Sequence, residues 1–307
     1  MKPSYFFYLI VFCCIVNIAF AQQADYSFKV LGNKGENTVD DAPIKIGMKI
    51  TAKQKIKIVD GGYLGLAHAN GSTTELKKEG IYTVKELESK LKIGQTNVFT
   101  NLLNYISAEL TSISENETRA VRAGRMTHKS AAVSRATDGA ETENGVVVML
   151  PKNVHATIND KITIKWFNNS DKPIENYKLT IRSYDGEILT EKILKDTSFT
   201  FSFASKDFKD QVGILYTVTD AKDTIKNATE YSIARLRASE IAEIEKDLAQ
   251  LPNYKSTLTN LILARYFEEK MLYANAYYLY DEALKTADAD EYKELYLDYL
   301  FRNNFYK

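Results

Sequence analysis

Cysteine is almost missing from this 307-residue chain: its two copies, Cys13 and Cys14, sit side by side in the leading apolar stretch. With that stretch removed, disulfides, thiol nucleophiles and thiolate metal sites are excluded together. Histidine is nearly as scarce, and His68, His128 and His155 stand far apart in segments of different character. No HExxH, glycine-rich phosphate loop or Gly-x-Ser-x-Gly elbow occurs, so no local catalytic motif is legible. Net charge is missing as well: 40 Lys and Arg balance 40 Asp and Glu, leaving no global field to hold nucleic acid or an anionic surface. What the chain does have is apolar substance, 45% of its residues, enough over this length for two or three cores.

The leader has its own chemistry. Lys2 supplies a positive start, Leu9 to Val16 a short apolar core, and Ala19-Phe20-Ala21 a small-x-small cleavage site, which together predict a signal peptide over 1–21 and a mature chain beginning at Gln22. An uncleaved anchor is the competing reading, but the apolar run is shorter than the ~20 residues a span needs. A lipoprotein needs a small residue before the modified cysteine, whereas Cys13 follows Phe12. Export without disulfides points to a bacterial envelope, in the periplasm or at the outer membrane, with no integral span in the mature chain.

From Tyr26 to Val84 apolar residues alternate in short runs: Phe28 and Val30, then Ile44 to Ile50, Ile56 and Ile58, Leu64 and Leu66. Gly32-Asn33, Gly61-Gly62 and Asn70-Gly71 punctuate them, the last being a strong hairpin signal. Thr83 and Glu86 form a capping-box pair that opens a helix with Leu87 and Leu91 on one face. Val98, Leu102, Ile106 and Leu110 then follow at helical spacing, with Phe99 and Leu103 beside them, a stripe expected to pack on its own sheet. The segment Ile46-Gly47-Met48-Lys49-Ile50, with Gly62 to Ser72 and Thr74-Glu75-Leu76, resembles a FecR-type β-domain. That resemblance implies a role in sensing, although full FecR-type sensors carry a cytoplasmic segment and a membrane helix where this chain has a leader.

Residues 112–145 read as a linker. Arg119, Arg122, Arg125, Lys129 and Arg135 gather there with no acid among them until Asp138. Such a run can make peripheral contact with an anionic envelope surface through 119–135, but it lacks the interleaved aromatics of single-strand recognition, so nucleic acid is not expected. Otherwise it is a solvated connector.

Period-two alternation then recurs at Ile162, Ile164 and Trp166, at Tyr177, Leu179 and Ile181, at Phe199, Phe201 and Phe203, and at Val212, Ile214, Tyr216 and Val218. Turn chemistry falls between these runs at Asn168 to Asp171, Asp185-Gly186 and Asp220 to Asp223, so 146–235 is expected to be a β-sandwich. The arrangement around Trp166 resembles the fibronectin III or immunoglobulin-like sandwich, without the cysteine pair of antibody domains, and implies a module that spaces, presents or binds.

After Arg235 the period becomes helical. Ile241, Ile244, Leu248 and Leu251 mark a helix ended by Pro252, and a denser helical region runs from Ser256 to about Phe305. Leu263, Ala264, Phe267, Tyr273, Ala276, Tyr280 and Ala283 fall on tetratricopeptide-like spacing. This resemblance implies antiparallel helix pairs over 236–307 and a protein partner. The sequence departs from the repeat pattern at Asn260, Met271 and Asp288, where that pattern favours tryptophan, glycine and proline. One unit cannot bury its own faces, so the flanking helices or the sandwich must cap it.

Ten of the 20 tyrosines lie from Tyr254 onward. Their apolar bodies and polar tips suit a recognition surface, for which Tyr273, Tyr277, Tyr280, Tyr296 and Tyr299 are the candidates; they equally suit helices packing on a sheet. Asp288-Ala289-Asp290 opens like a calcium loop but lacks the later ligands, leaving a solvated helix cap. No catalytic, cofactor or metal residue can be named.

The expectation is therefore a multi-domain α+β chain: an N-terminal β-domain with an appended helix over 22–111, a linker, a central β-sandwich and C-terminal α-helical hairpins. The role expected is non-catalytic protein binding or scaffolding in the envelope of a Gram-negative, Bacteroidetes-like bacterium. Signal relay, or a glycan-binding or hydrolytic site assembled in space, are the alternatives.

Overall fold

The computed structural model describes residues 26–91, 97–122, 145–150, 155–158, 160–222, 228–249, 256–287 and 289–303. Residues 1–21, expected to be a signal peptide, and Arg125, Lys129, Arg135, His128 and Asp288 lie outside them. The chain is a mixed α+β protein of several parts, as its pattern predicts, and no helix among the described residues is long and apolar enough to cross a membrane.

The N-terminal part folds as two four-stranded sheets. One holds β1 (Phe28–Lys34), β4 (Lys49–Ile50), β6 (Tyr63–His68) and β7 (Thr73–Leu76) in the order β4-β1-β6-β7. The other holds β2 (Thr38–Val39), β3 (Ala42–Pro43), β5 (Lys55–Ile58) and β8 (Gly80–Thr83) in the order β3-β2-β5-β8. The expected hairpin joins β6 to β7, where Gly71 supplies a positive φ of 89° and donates to the His68 carbonyl at 2.9 Å. Asn37, 1% exposed, ties the two sheets: its amide donates to the Tyr63 carbonyl at 3.1 Å and its oxygen accepts from Val59 N at 3.0 Å.

Helix α1 (Val84–Lys90) starts at the capping box read from sequence, with Thr83 and Glu86 bonded reciprocally. Helix α2 (Asn97–Ser114) buries Phe99, Leu102, Leu103, Ile106 and Leu110, and leaves Val98 43% exposed. Its apolar face meets β1, as expected, but it also packs against two helices from the far end of the chain. Beyond it, the turn 119–122 is clamped. Arg122 grips Asp298 bidentately, Nε to Oδ2 at 2.6 Å and Nη2 to Oδ1 at 2.8 Å, with both side chains under 5% exposed. Arg119, 27% exposed, pairs with Glu294 at 2.9 Å and with Asp298 at 3.2 Å, so the first two arginines of the basic run are both engaged from the far end of the chain.

The sandwich sets the sheet β10-β16-β15-β12-β13 against β14-β11-β9. Its strands are β9 (Val146–Val148), β10 (His155–Thr157), β11 (Lys161–Asn168), β12 (Tyr177–Arg182), β13 (Ile188–Leu194), β14 (Ser198–Ser202), β15 (Gly213–Asp220) and β16 (Tyr231–Arg235). Alternation along β11 and β15 puts Ile162, Ile164, Trp166, Ile214, Tyr216 and Val218 inside. Trp166 meets Tyr177 edge-on at 5.8 Å, so the single tryptophan is the centre of this second core.

The C-terminal part holds α3 (Ala238–Leu248), α4 (Thr257–Glu269), α5 (Tyr273–Thr286) and α6 (Asp290–Arg302). Ala264, Ala276 and Ala283 are fully buried, which lets the antiparallel pair α4 and α5 approach closely. Between them, Met271 N donates to the Glu268 carbonyl at 3.0 Å and Leu272 N to the Phe267 carbonyl at 2.8 Å, a Schellman closure that forces Met271 to φ +58°. Met271 stands where the repeat pattern carries glycine, and it is 62% exposed. Met271→Gly is expected to stabilise the chain by about 1 kcal/mol, by relieving left-handed strain without removing a buried contact. A lowered urea midpoint would show that the methionine holds something there.

Packing does not follow chain order. The N-terminal sheets, α2 and the C-terminal helices share one continuous core, and the sandwich has its own. The face that one helical unit cannot bury by itself is thus covered by the other end of the chain.

Candidate functional site

The five tyrosines selected from sequence come together, but inward. Tyr280 and Tyr299 are fully buried, with rings 4.7 Å apart, and the Tyr299 hydroxyl donates to the Tyr273 carbonyl at 2.9 Å. Tyr296 stacks on Tyr299 at 6.4 Å and meets Tyr277 edge-on at 5.8 Å. Tyr273 and Tyr277 are partly buried, and Tyr277 lies against the sandwich, its hydroxyl 3.7 Å from Met149 Sδ. These residues form an aromatic core between α5 and α6 rather than a free contact face. The reason is helical phase: positions 273, 276, 280 and 283 of α5 share the face that meets α4 and α6. Burial raises the phenol pKa of Tyr280 and Tyr299 well above its ordinary value. The tyrosine of α5 that does face solvent is Tyr278, 54% exposed, and the same periodicity would have singled it out.

Beneath this aromatic row lies a buried charge cluster that the sequence did not announce. Glu268 accepts from Arg302 at 2.9 and 3.1 Å and from Asn303 at 3.1 Å, and Arg265 lies 3.1 Å away. The Arg265 guanidinium in turn lies 4.3 Å over the ring of Tyr105 on α2. Burial alone would push the Glu268 carboxyl up, but Arg302 and Arg265 outweigh it and hold the group below the ordinary range.

Among the described residues, a cleft of about 600 Å³ opens where Asn33 of β1, residues 44–46, the end of α2 and the start of α6 meet. Ile44, Ile46 and Ile113 form its apolar wall, while Glu115, Asp290, Glu291 and Glu294 face the single Lys45. Burial raises the Glu291 carboxyl above its usual value, and Glu294 is held by Arg119 at 2.9 Å. Of the histidines, His68 lies 3.5 Å from Glu88 and against the ring of Phe28, and the backbone of His155 pairs with Ile233 in β10. Among the described residues no group of three His, Cys, Asp or Glu could hold a metal ion.

The sandwich carries one further feature. Strand β13 pairs with β12 on one side and with no described strand on the other. Ile188 and Ile193 on it are 55% and 59% exposed. The strand lacks the alternation that marks its neighbours in the sequence. No protein-family model matches the chain, and no curated protein matches it.

Proposed function

We propose that this chain is an exported envelope protein that acts by binding a protein partner rather than by chemistry of its own. The sandwich presents the binding edge, and the joined N- and C-terminal parts form the base that holds it. The observation that carries this reading is the edge of β13, where two isoleucines more than half exposed lie on a strand with no described neighbour on its second side. Such an edge is a template for strand addition, with main-chain hydrogen bonds giving affinity and alternate side chains giving selectivity. The leader and the absence of cysteine beyond it support the envelope as the compartment.

The reading is tested with a photo-crosslinking residue placed at Ile193 in cells that express the chain, and at exposed Lys172 as a control. Position 193 should give a discrete adduct that Lys172 does not. Equal or absent adducts at both would remove the edge from consideration.

A second reading, relay of an envelope signal by a FecR-like N-terminal part, is favoured by the shared core. With the first and last thirds of the chain packed as one body, a change at either would be felt at the other.

A further inference from the structure

The two seams of the molecule differ in kind. Between the N-terminal sheets and the C-terminal helices the contacts are core: Leu258 and Tyr292 are fully buried, and the hydroxyls of Tyr63 and Tyr292 meet at 3.1 Å. Between the sandwich and α5 they are polar, with buried Asn275 and Thr157 flanked by half-buried side chains. Met149, Tyr273 and Tyr277 are each only partly buried there. Asn275, 3% exposed, accepts from Ile158 N and the Thr157 hydroxyl at 3.4 Å each, which is long for a bond meant to hold. A charged fastener here is Lys165, whose ammonium sits 5.0 Å over the Tyr277 ring and 3.6 Å from the Asp281 carboxylate. Lys165 and Asp281 remain 32% and 28% exposed, and Lys285 competes for the same carboxylate at 2.9 Å. The β16 strand leads into α3 through Leu236 and Arg237 alone.

We infer that the sandwich is a latched arm: Lys165, bridging Tyr277 and Asp281, holds it against α5, and release of that latch swings it away and uncovers Tyr277. Interfaces of this polar, partly exposed type move, whereas fully buried seams do not. Because the latch is reached by solvent, ions screen it, and the closed population falls as salt rises.

Tyrosine nitration followed by peptide mass spectrometry reads the arm directly in the full chain. Tyr278 is the exposed reference and Tyr280 the buried control. Lys165→Glu, which places two carboxylates together, should raise labelling of Tyr277 relative to Tyr278 by roughly five-fold, the size of effect that a pair of this exposure supports. Raising salt from about 50 mM to about 1 M should do the same to the unsubstituted chain. The charge swap Lys165→Asp with Asp281→Lys should restore protection. Unchanged Tyr277 labelling in Lys165→Glu overturns the latch. If Lys165→Glu also uncovers Tyr280, the variant has loosened the helices, and the salt series decides: a flat Tyr277 signal across it overturns the inference.

Discussion

Glu268→Ala should lower the stability of the base by about 3–5 kcal/mol, because it strands Arg302 in the interior and leaves Arg265 only the half-exposed Glu269, 3.1 Å away. Arg265 and Arg302 have side chains 11% and 10% exposed, and Glu268 is the carboxylate both of them face. Truncating one member of such a set costs far more than the set contributes as a whole, since the remaining charges keep their desolvation penalty. Urea melts of the two proteins at neutral pH measure the loss, and a difference under about 1 kcal/mol would place the cluster in water rather than in the core.

The pH dependence gives an independent sign. The folded Glu268 carboxyl titrates below 4.5, so the stability it contributes is complete at neutral pH and is lost as pH falls through that depressed value. The gap between the native chain and Glu268→Ala should therefore narrow on acidification below 4.5. A gap that widened there would contradict the assigned direction.

The second large effect concerns the other seam. A Cβ placed on Gly32 would lie 2.1 Å from the Tyr292 hydroxyl oxygen and 2.6 Å from its ring, and one on Gly65 would lie 2.9 Å from that same oxygen. The two glycines, on β1 and β6, form a saddle in the sheet into which α6 lowers its tyrosine. Tyr292 is fully buried and cannot step aside, so Gly32→Ala should cost about 1–3 kcal/mol and Gly32→Val more. Tyr292→Leu removes the obstructing ring and should rescue part of the Gly32→Ala loss, giving a coupling of about 1 kcal/mol or more in a double-mutant cycle. Additive losses would mean that the helix does not seat on these glycines. The seam also holds a buried polar contact: Glu75, on β7, accepts from Leu258 N at 2.8 Å and so caps α4 from across it.

Most of the local chemistry was legible. The capping box of Thr83 and Glu86 could be read because its partners are three residues apart, and the strands of the sandwich because a half-buried pleat writes its burial with period two. Strand β13 escaped because its ladder with β12 slips between Ile181 and Arg182, so Ile188 and Ile193, five residues apart, both lie on the face of Arg182 and Lys178, and no alternation results. The tyrosines show the boundary most clearly. Their density and helical phase are sequence properties, but whether the inward face meets solvent, a partner or another part of the same chain is not.

By itself, then, the amino-acid order determined the element types, the sandwich around Trp166, the close α4 and α5 pair, and a chain that carries no local catalytic motif. Only the tertiary structure decided that the two ends build one core, that Tyr280 and Tyr299 lie inside it, and that Arg119 and Arg122 are clamped to α6. The reason is one of range. Propensity, capping and periodicity act between residues two to four apart, whereas the fit of Tyr292 beside Tyr63, 229 residues away, depends on shape matched between segments that share no local pattern.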